Sequence, residues 1–270
     1  MLMTAGGEAI SGDVVLPRPE TTGADYFDVA DALARIEAGQ PVAFPPFEVV
    51  HLPRHGLSFC LNMARDPIQN ALRAGNFFEA EELEAISRHV RSGAQVIDIG
   101  ANIGNHAIWF AHAARAARVV VVEPNPLALA PLVANVLINR LDKVIDMGAL
   151  GVGLSDRSEG GYGMKRHDRN LGATRMFAGK GDLQVHRGDD LFEDETPDFI
   201  KIDVEGMEMK VLSGLEKTIG THRPVLLVEV DEENAQAFEA WRGARGYDVV
   251  ETIRHSRRNC NHLLAPSEGR

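Results

Sequence analysis

The sequence has few cysteines, a deficit of basic residues and no long apolar run. Cys60 and Cys260 are the two cysteines among 270 residues, too few for a disulfide framework or a zinc site, and we interpret both as reduced thiols. The 28 Lys and Arg residues are outnumbered by 39 Asp and Glu residues. The resulting net charge of −11 argues against DNA or RNA as a partner, because a polyanion needs a basic surface.

The lack of long apolar runs argues against a membrane protein. No run approaches the roughly 18 residues that predict a membrane-spanning helix, and residues 1–12 lack the basic start and apolar core of a signal peptide. We therefore predict a cytoplasmic protein without membrane contact. Apolar and charged contents of 44% and 25% are ordinary for a globular chain, and the length suits one large α/β domain with an appendage.

The chain is organised around one strand–turn–helix segment. The apolar stretch Gln95–Ile99 predicts a buried parallel strand, and Gly100 and Gly104 follow it before an alanine-rich helical pattern over 105–118. This order of elements forms the nucleotide site of an open α/β sheet. The glycines allow the backbone to pass close to a ligand, because they carry no Cβ.

The spacing of these glycines indicates which ligand binds. A dinucleotide site has the pattern G-x-G-x-x-G, but residue 102 is Asn, and Asp98 just before the turn would repel a pyrophosphate. S-adenosylmethionine (SAM) suits this turn, because it carries an ammonium and a sulfonium and no phosphate. Glu123 ends the next strand, where a carboxylate can accept both ribose hydroxyls. Asp98 alone would be interpreted as a helix-capping or turn carboxylate, but its combination with the glycines and Glu123 favours a cofactor site.

Three segments of the sequence carry a family resemblance. They read VIDIGANIGNH from residue 96, VEPNP from residue 122 and DFIKIDVEG from residue 198. In this order, over residues 77–230, they resemble the FkbM family of SAM-dependent methyltransferases. The resemblance implies a class I methyltransferase fold and, most often, methylation of a hydroxyl on a sugar or a small natural product.

The motifs and the resemblance together assign the cofactor contacts. The third strand, 144–150, should end beneath the adenine, where small residues permit a close approach. The predicted SAM-binding residues are Phe78, Glu79, Asp98, Gly100, Ala101, Asn102, Gly104, Asn105, Glu123, Pro124, Asn125, Gly148, Ala149 and Asp203.

The carboxyl end of the fourth strand, 199–204, is where this fold places its chemistry. Asp203 and Glu205 lie there, and the period of two in a strand puts them on one side with Lys201. Buried charges of this kind are costly unless they are paired or used. We predict that Asp203 or Glu205 removes the proton of a hydroxyl acceptor, and an ion-paired structural network is the alternative. Glu229 is the second-choice base, and His106 is as readily a packed histidine as a catalytic one.

A divalent metal ion is a separate question. Some class I O-methyltransferases hold one at the ends of strands four and five, and Asp203, Glu205, Glu229 and Asp231 could supply oxygen ligands here. The family resemblance does not imply a metal, so we predict none.

The alternation of elements predicts a doubly wound, mostly parallel seven-stranded class I methyltransferase sheet with an N-terminal helix and hairpin extension. Residues 1–90 would form the extension, which contributes to the acceptor pocket, and residues 91–270 the SAM-binding core. Further predictions are helices over 25–38, 66–74, 79–90 and 207–219, a hairpin from 41–52 and 57–63, a helix that starts or kinks at Pro131, and a closing antiparallel pair, 247–253 and 261–264.

Residues 155–181 are predicted to be the least regular part of the core, because glycines and polar residues dominate them. A long loop inside a compact domain is usually functional. We interpret this segment as a lid over the acceptor, with Tyr162, His167 and Asn170 as substrate contacts, and a solvated insertion is the alternative.

The sequence therefore predicts an active SAM-dependent O-methyltransferase that acts on a small-molecule or glycan acceptor and releases S-adenosylhomocysteine (SAH). A non-catalytic SAM-binding partner subunit is the alternative. An NAD-dependent Rossmann oxidoreductase is disfavoured by the glycine spacing. Association as a homodimer is left open.

Overall fold

The fold is that of a computed structural model, which describes residues 15–16, 27–165, 167, 169–179, 181–254 and 259–267. The expectation for residues 1–12 lies outside this part of the chain, as does the start of the helix predicted over 25–38. The helices are α1 (Val29–Glu37), α2 (Pro67–Arg73), α3 (Ala80–Ser87), α4 (Asn105–His112), α5 (Pro126–Ile138), α6 (Gly188–Leu191), α7 (Glu208–Gly214), α8 (Glu216–His222) and α9 (Ala235–Arg245), with a 3-10 turn at Glu232–Asn234. The strands are β1 (Val15–Leu16), β2 (Glu48–Leu52), β3 (Leu57–Leu61), β4 (Gln95–Ile99), β5 (Arg118–Glu123), β6 (Ile145–Leu150), β7 (Gly153–Ser155), β8 (Glu159–Lys165), β9 (Arg175–Ala178), β10 (Leu183–Arg187), β11 (Phe199–Ile202), β12 (Val225–Asp231), β13 (Tyr247–Ile253) and β14 (Asn259–Pro266).

The main sheet confirms the predicted fold class. Its seven strands run in the order β13-β14-β12-β11-β4-β5-β6, with β12 to β6 parallel and the pair β13–β14 antiparallel. The strand order reverses beside β4, because the chain first adds β5 and β6 on one side and then β11 and β12 on the other. Ligands of such sheets bind in the crevice at this switch point, beyond the carboxyl ends of the strands.

Pro131 lies inside α5, which begins at Pro126, so the alternative that the helix starts at Pro131 is wrong, and the kink stays a prediction. A proline cannot donate to the carbonyl four residues earlier, and that carbonyl belongs to Leu127. The Asn62 side chain donates to it instead, at 2.8 Å. A residue of the N-terminal extension thereby replaces the missing bond of a core helix.

The N-terminal extension packs directly on the core. Its hairpin β2–β3 contacts α5, where Asn135 accepts the buried Cys60 N–H and Asn139 exchanges two hydrogen bonds with the backbone of Ser58. The observed α1, α2, α3 and hairpin lie within the ranges that the sequence predicts for them. The extension and the core therefore share one hydrophobic cluster.

The structure corrects the prediction that residues 155–181 are the least regular part of the core. Much of this segment lies in strands β8 and β9, which join β1, β10 and β7 in a second, smaller sheet. The sequence does not show these strands as an alternation of apolar and polar residues, because several of their positions are glycines. Side chains of neighbouring strands occupy the space where the Cβ atoms of these glycines would lie. The Phe177 ring fills that space at Gly163, and the Gln184 side chain does so at Gly160.

Two predicted helices are shorter in the structure. The prediction of one helix over 207–219 is wrong, because the structure has two separate helices, α7 and α8. The first of them ends at Gly214, which packs against β7. A Cβ on Gly214 would lie 2.1 Å from the Ser155 carbonyl oxygen. The helix predicted over 105–118 ends at His112, since Arg115 adopts a φ of 56° and turns the chain into β5.

Among the helices of the described residues, none combines the length and the apolar character that crossing a membrane requires.

Candidate active site

The glycine turn after β4 brings two strand ends into contact. Gly100 has a φ of 80°, and a Cβ there would lie 1.8 Å from the backbone oxygen of Asp203. Its N–H and that of Ala101 both donate to the Val122 carbonyl. The turn is therefore pressed between β5 and the segment after β11, and only a residue without a side chain fits there.

Glu123 holds the loops on both sides of it. One carboxylate oxygen accepts the Asn102 N–H and the other accepts the Asn125 N–H, each at 2.7 Å. Asn102 has a φ of 50°, which turns its N–H towards this carboxylate. Burial raises the pKa of Glu123 to about 7, although both backbone donors oppose the increase. The Glu123 carboxylate therefore lies at the end of β5 and is held there by hydrogen bonds from two backbone N–H groups.

A pocket opens at these strand ends. It encloses roughly 530 Å³, including its open mouth. Its lining residues are Ile99, Gly100, Asn102, Val122, Glu123, Pro124, Asn125, Gly153, Leu154, Met164, Leu171, Gly172, Thr174, Met176, Asp203, Val204 and Glu205.

Lys201 forms a buried ion network beneath the pocket. Its side chain is 5% exposed, and its Nζ lies 3.2 Å from Asp98 and 3.3 Å from Asp203 while it donates to the Gly100 carbonyl. Burial opposes the charge of Lys201, but the two carboxylates outweigh this effect and raise its pKa. The ammonium thereby ties the glycine turn to the ends of β4 and β11.

Three carboxyl groups meet above Lys201. Oxygens of Asp203, Glu205 and Glu229 lie within 4.8 Å of one another. Burial and the charge of Asp203 raise the pKa of Glu229 far above its ordinary value, so Glu229 carries a proton at neutral pH. Burial works against ionisation of Asp203, but Lys201 and the Glu229 hydrogen bond lower its pKa. Asp203 is therefore the ionised member of the pair.

Glu205 differs from both neighbours. Burial and the Asp203 charge raise its pKa to about 8, against the opposing charge of Arg175. Arg175 lies 3.9 Å from Glu205 and forms a 2.6 Å ion pair with Asp231. The strand does not continue to Glu205, because β11 ends at Ile202 and Glu205 has a φ of 51°. The turn nevertheless directs Glu205 to the same cluster that strand phase predicted.

A divalent cation is one ligand that three close carboxyl groups could hold. Here Asp203 already lies 3.3 Å from the Lys201 ammonium and accepts a hydrogen bond from the protonated Glu229. The prediction that the reaction needs no metal remains a prediction.

The pocket contains part of the predicted cofactor set. Gly100, Asn102, Glu123, Pro124, Asn125 and Asp203 line it. Phe78, Glu79, Asp98, Ala101, Gly104, Asn105, Gly148 and Ala149 are not among its lining residues.

Several of the residues outside the lining have structural partners. Asn105 exchanges hydrogen bonds with the backbone of Phe78 and so joins α4 to the extension. His106 and Glu79 lie 3.8 Å apart beside that contact. Gly148 is exposed on β6, and Gly153 and Leu154 of β7 line the pocket, so the adenine contact expected at the end of the third strand stays a prediction.

The predicted substrate residues also lie outside the pocket lining. Tyr162 is buried and donates to Glu159, His167 accepts the Arg169 N–H, and Asn170 accepts the Ala173 N–H. The lining residues that sequence reasoning did not select are Ile99, Val122, Gly153, Leu154, Met164, Leu171, Gly172, Thr174, Met176 and Val204. The methionines carried no sequence signal, because their position at the pocket depends on the β8–β9 pairing.

The described residues of the pocket fit SAM. The lining contains three carboxyl groups, those of Glu123, Asp203 and Glu205, of which Asp203 is ionised, and no basic side chain. A cationic ligand suits this charge, and a pyrophosphate does not. The Thr174 side-chain oxygen is buried and has no hydrogen-bond partner among the described residues. Because Thr174 lines the pocket, this hydroxyl is available to a bound ligand.

Glu123→Gln should weaken SAH binding by about 1–3 kcal/mol, because one accepting oxygen becomes an N–H₂ group that faces a backbone donor. The ribose hydroxyls would donate to the ionised carboxylate, whose pKa is about 7. The affinity of the wild type should therefore rise as the pH increases through this value, and the variant should lose that rise. Calorimetry on either side of neutrality tests both effects, with exposed Glu251→Gln as the control. Unchanged affinity in Glu123→Gln would refute the ribose assignment.

Comparison with known proteins bears on both fold and family. Residues 98–253 match the family described as the methyltransferase FkbM domain. No curated protein matches the sequence. An FkbM methyltransferase from Methylobacillus flagellatus KT is similar in structure, with 20% identity and a TM-score of 0.48 over 87% of this chain and 60% of that one. The chain thus spans about 60% of that protein's length.

Two further solved structures are similar to the chain at lower identity. The precorrin-6y C5,15-methyltransferase of Geobacter metallireducens GS-15 has 12% identity and a TM-score of 0.46, over 70% of this chain and 88% of that one. A tRNA methyltransferase from M. jannaschii has 12% identity and a TM-score of 0.44, over 79% and 53%. At this identity the likeness concerns the fold alone.

The family match covers more than half of the chain and contains the glycine turn, Glu123 and the carboxyl cluster. It also agrees with the seven-stranded sheet and its switch point. Methyl transfer with SAM as the donor is what the family implies. The chain belongs to the FkbM methyltransferase family.

Proposed function

We propose that the protein methylates a hydroxyl group on a sugar, a glycan or a small natural product. The carboxyl cluster supports this proposal most directly. An alcohol holds its proton tightly, so its methylation needs a base beside the reacting oxygen. Asp203, Glu205 and Glu229 lie together at the carboxyl ends of β11 and β12, and two of them line the pocket.

When bound, SAM supplies an electrophilic methyl group on a sulfonium. Asp203 is ionised and 36% exposed in its side chain, so it can accept the proton of an acceptor in the pocket. The protonated Glu229 hydrogen-bonds to Asp203 and orients it, and Lys201 fixes its other side. These residues align the acceptor and the base, which is most of what an easy displacement requires.

We also propose that residues 155–181 cover the acceptor. Met164 and Met176 of β8 and β9 line the pocket, together with Leu171 between these strands. Apolar side chains at this position would exclude water from the reacting groups. Asp66 of the N-terminal extension accepts the Leu171 N–H and so supports this wall.

The proposal is tested first by binding and then by turnover. Titration with SAM, SAH and NAD should show binding of the first two alone. Labelled SAM and a panel of glycans and small alcohols should then give a labelled ether. NAD binding in place of SAM would identify an oxidoreductase, whereas SAM binding without transfer to any acceptor would favour a partner subunit.

The pH dependence of turnover should distinguish Asp203 from Glu205. A base works only when ionised, and the pKa of Asp203 is lowered whereas that of Glu205 is about 8. With Asp203 as the base, kcat should stay level from neutrality upwards. A tenfold rise in kcat per pH unit that ends near pH 8 would assign the proton to Glu205 instead, and Glu205→Gln would then abolish the rise.

A further inference from the structure

We infer that Asp66 is a positioning residue, which couples the N-terminal extension to the wall of the cofactor pocket. The inference rests on the proposed function, in that the pocket must bind SAM or SAH. It concerns a residue that lies outside the pocket lining and outside the residues matched to the family.

Asp66 is fully buried and joins two distant parts of the chain. Its Oδ1 accepts the Gln69 N–H at 2.9 Å, which caps α2 at its first residues. Its Oδ2 accepts the Leu171 N–H at 2.7 Å, 105 residues away in the sequence. Leu171 lines the pocket. One carboxylate therefore caps the N-terminus of α2 in the extension and holds Leu171 in the wall of the pocket.

The wall has few other short bonds. Residues 170–174 form no helix or strand. The Leu171 carbonyl accepts from the Asn125 side chain and from the Thr174 N–H, each at 3.4 Å, and the Ala173 N–H donates to Asn170 at 3.3 Å. Asp66 thus makes the shortest of these hydrogen bonds, and it is the one that leads to the extension.

The wall also connects to the predicted ribose site. Asn125, which donates to Leu171, gives its own N–H to Glu123. If the Asp66 bond is lost, the segment 170–174 can open, and a ligand must close it again on binding. Affinity then falls in proportion to the fraction of molecules that remain closed.

The experiment separates the capping role of Asp66 from its contact with the wall. Ser caps a helix about as well as Asp but offers one oxygen, so Asp66→Ser keeps the α2 cap and removes the bond to Leu171. Asp28→Ser is the matched control, because Asp28 caps α1 through the Asp31 N–H and is exposed. By calorimetry, SAH should bind Asp66→Ser about 5- to 150-fold more weakly, and Asp28→Ser like the wild type.

A second measurement needs no variant and so remains decisive if Asp66→Ser fails to fold. Coupling is reciprocal, so SAH should slow amide hydrogen exchange at Gln69 in α2 as well as at Leu171 in the wild type. Equal affinity of Asp66→Ser and Asp28→Ser, or slowed exchange at Leu171 without Gln69, would overturn the inference. Failure of the wild type to bind SAH would instead overturn the proposed function.

Discussion

Gly100→Ala is expected to abolish SAH binding and to lower the free energy of unfolding by about 4 kcal/mol or more, which places it among the most damaging single substitutions. The added Cβ would lie 1.8 Å from the Asp203 backbone oxygen, a distance that forces the backbone to move. Movement there shifts the end of β11, the Lys201 contact with Gly100 and the floor of the pocket together. Chemical denaturation and calorimetry with SAH measure the two losses.

Gly93→Ala is the matched control for this substitution. Gly93 has a φ of 81°, close to the 80° of Gly100, but a Cβ there meets nothing within 4 Å. Gly93→Ala should therefore show the cost of the left-handed backbone alone, about 1–2 kcal/mol, and should bind SAH normally. If Gly100→Ala resembles Gly93→Ala in both measurements, the close approach to Asp203 does not matter for the site.

The sequence predicts well what depends on local pattern. The strands Gln95–Ile99 and Arg118–Glu123 agree with prediction because buried parallel strands are short apolar runs with clear ends. From the sequence, Gly100 is predicted to let the backbone pass close to a ligand. The structure shows that the atom nearest to an added Cβ would be the Asp203 backbone oxygen. Glu123 was expected to meet a ribose, and its bonds to two backbone N–H groups were not foreseeable, because they depend on the loops that surround it.

The sequence fails where the outcome depends on pairing between distant segments. Asp98 was predicted to contact the cofactor, which stays a prediction, but its ion pair with Lys201 was not foreseeable, because it depends on the register that sets the two residues opposite each other in β4 and β11. Strand phase placed Glu205 with Asp203 for a reason that does not hold, since the strand ends before both of them. The role of Met164 and Met176 required the β8–β9 pairing, which glycines hide from any pattern of alternation.

Asp203→Asn is expected to lower kcat by about 10²–10⁴-fold while SAH affinity barely changes, because the variant keeps the shape of the side chain and removes the base. Asp203 is the ionised member of the carboxyl pair, and its side chain is open to the pocket. Lys201 keeps two partners in the variant, Asp98 and the Gly100 carbonyl, so the ion network should survive. Rapid-quench turnover with a methyl acceptor and calorimetry with SAH measure the two effects separately.

Glu229→Gln should behave in the opposite way. Glu229 is protonated in the wild type, so a Gln amide can replace its donor towards Asp203 and its acceptor towards Asn259. Turnover of Glu229→Gln should therefore stay near that of the wild type, although both variants remove one carboxyl group from the same cluster. A large loss in Glu229→Gln together with a small one in Asp203→Asn would exchange the roles of the two residues. Full turnover in both variants would leave Asp203 as a partner of Lys201 alone and would assign proton removal to Glu205.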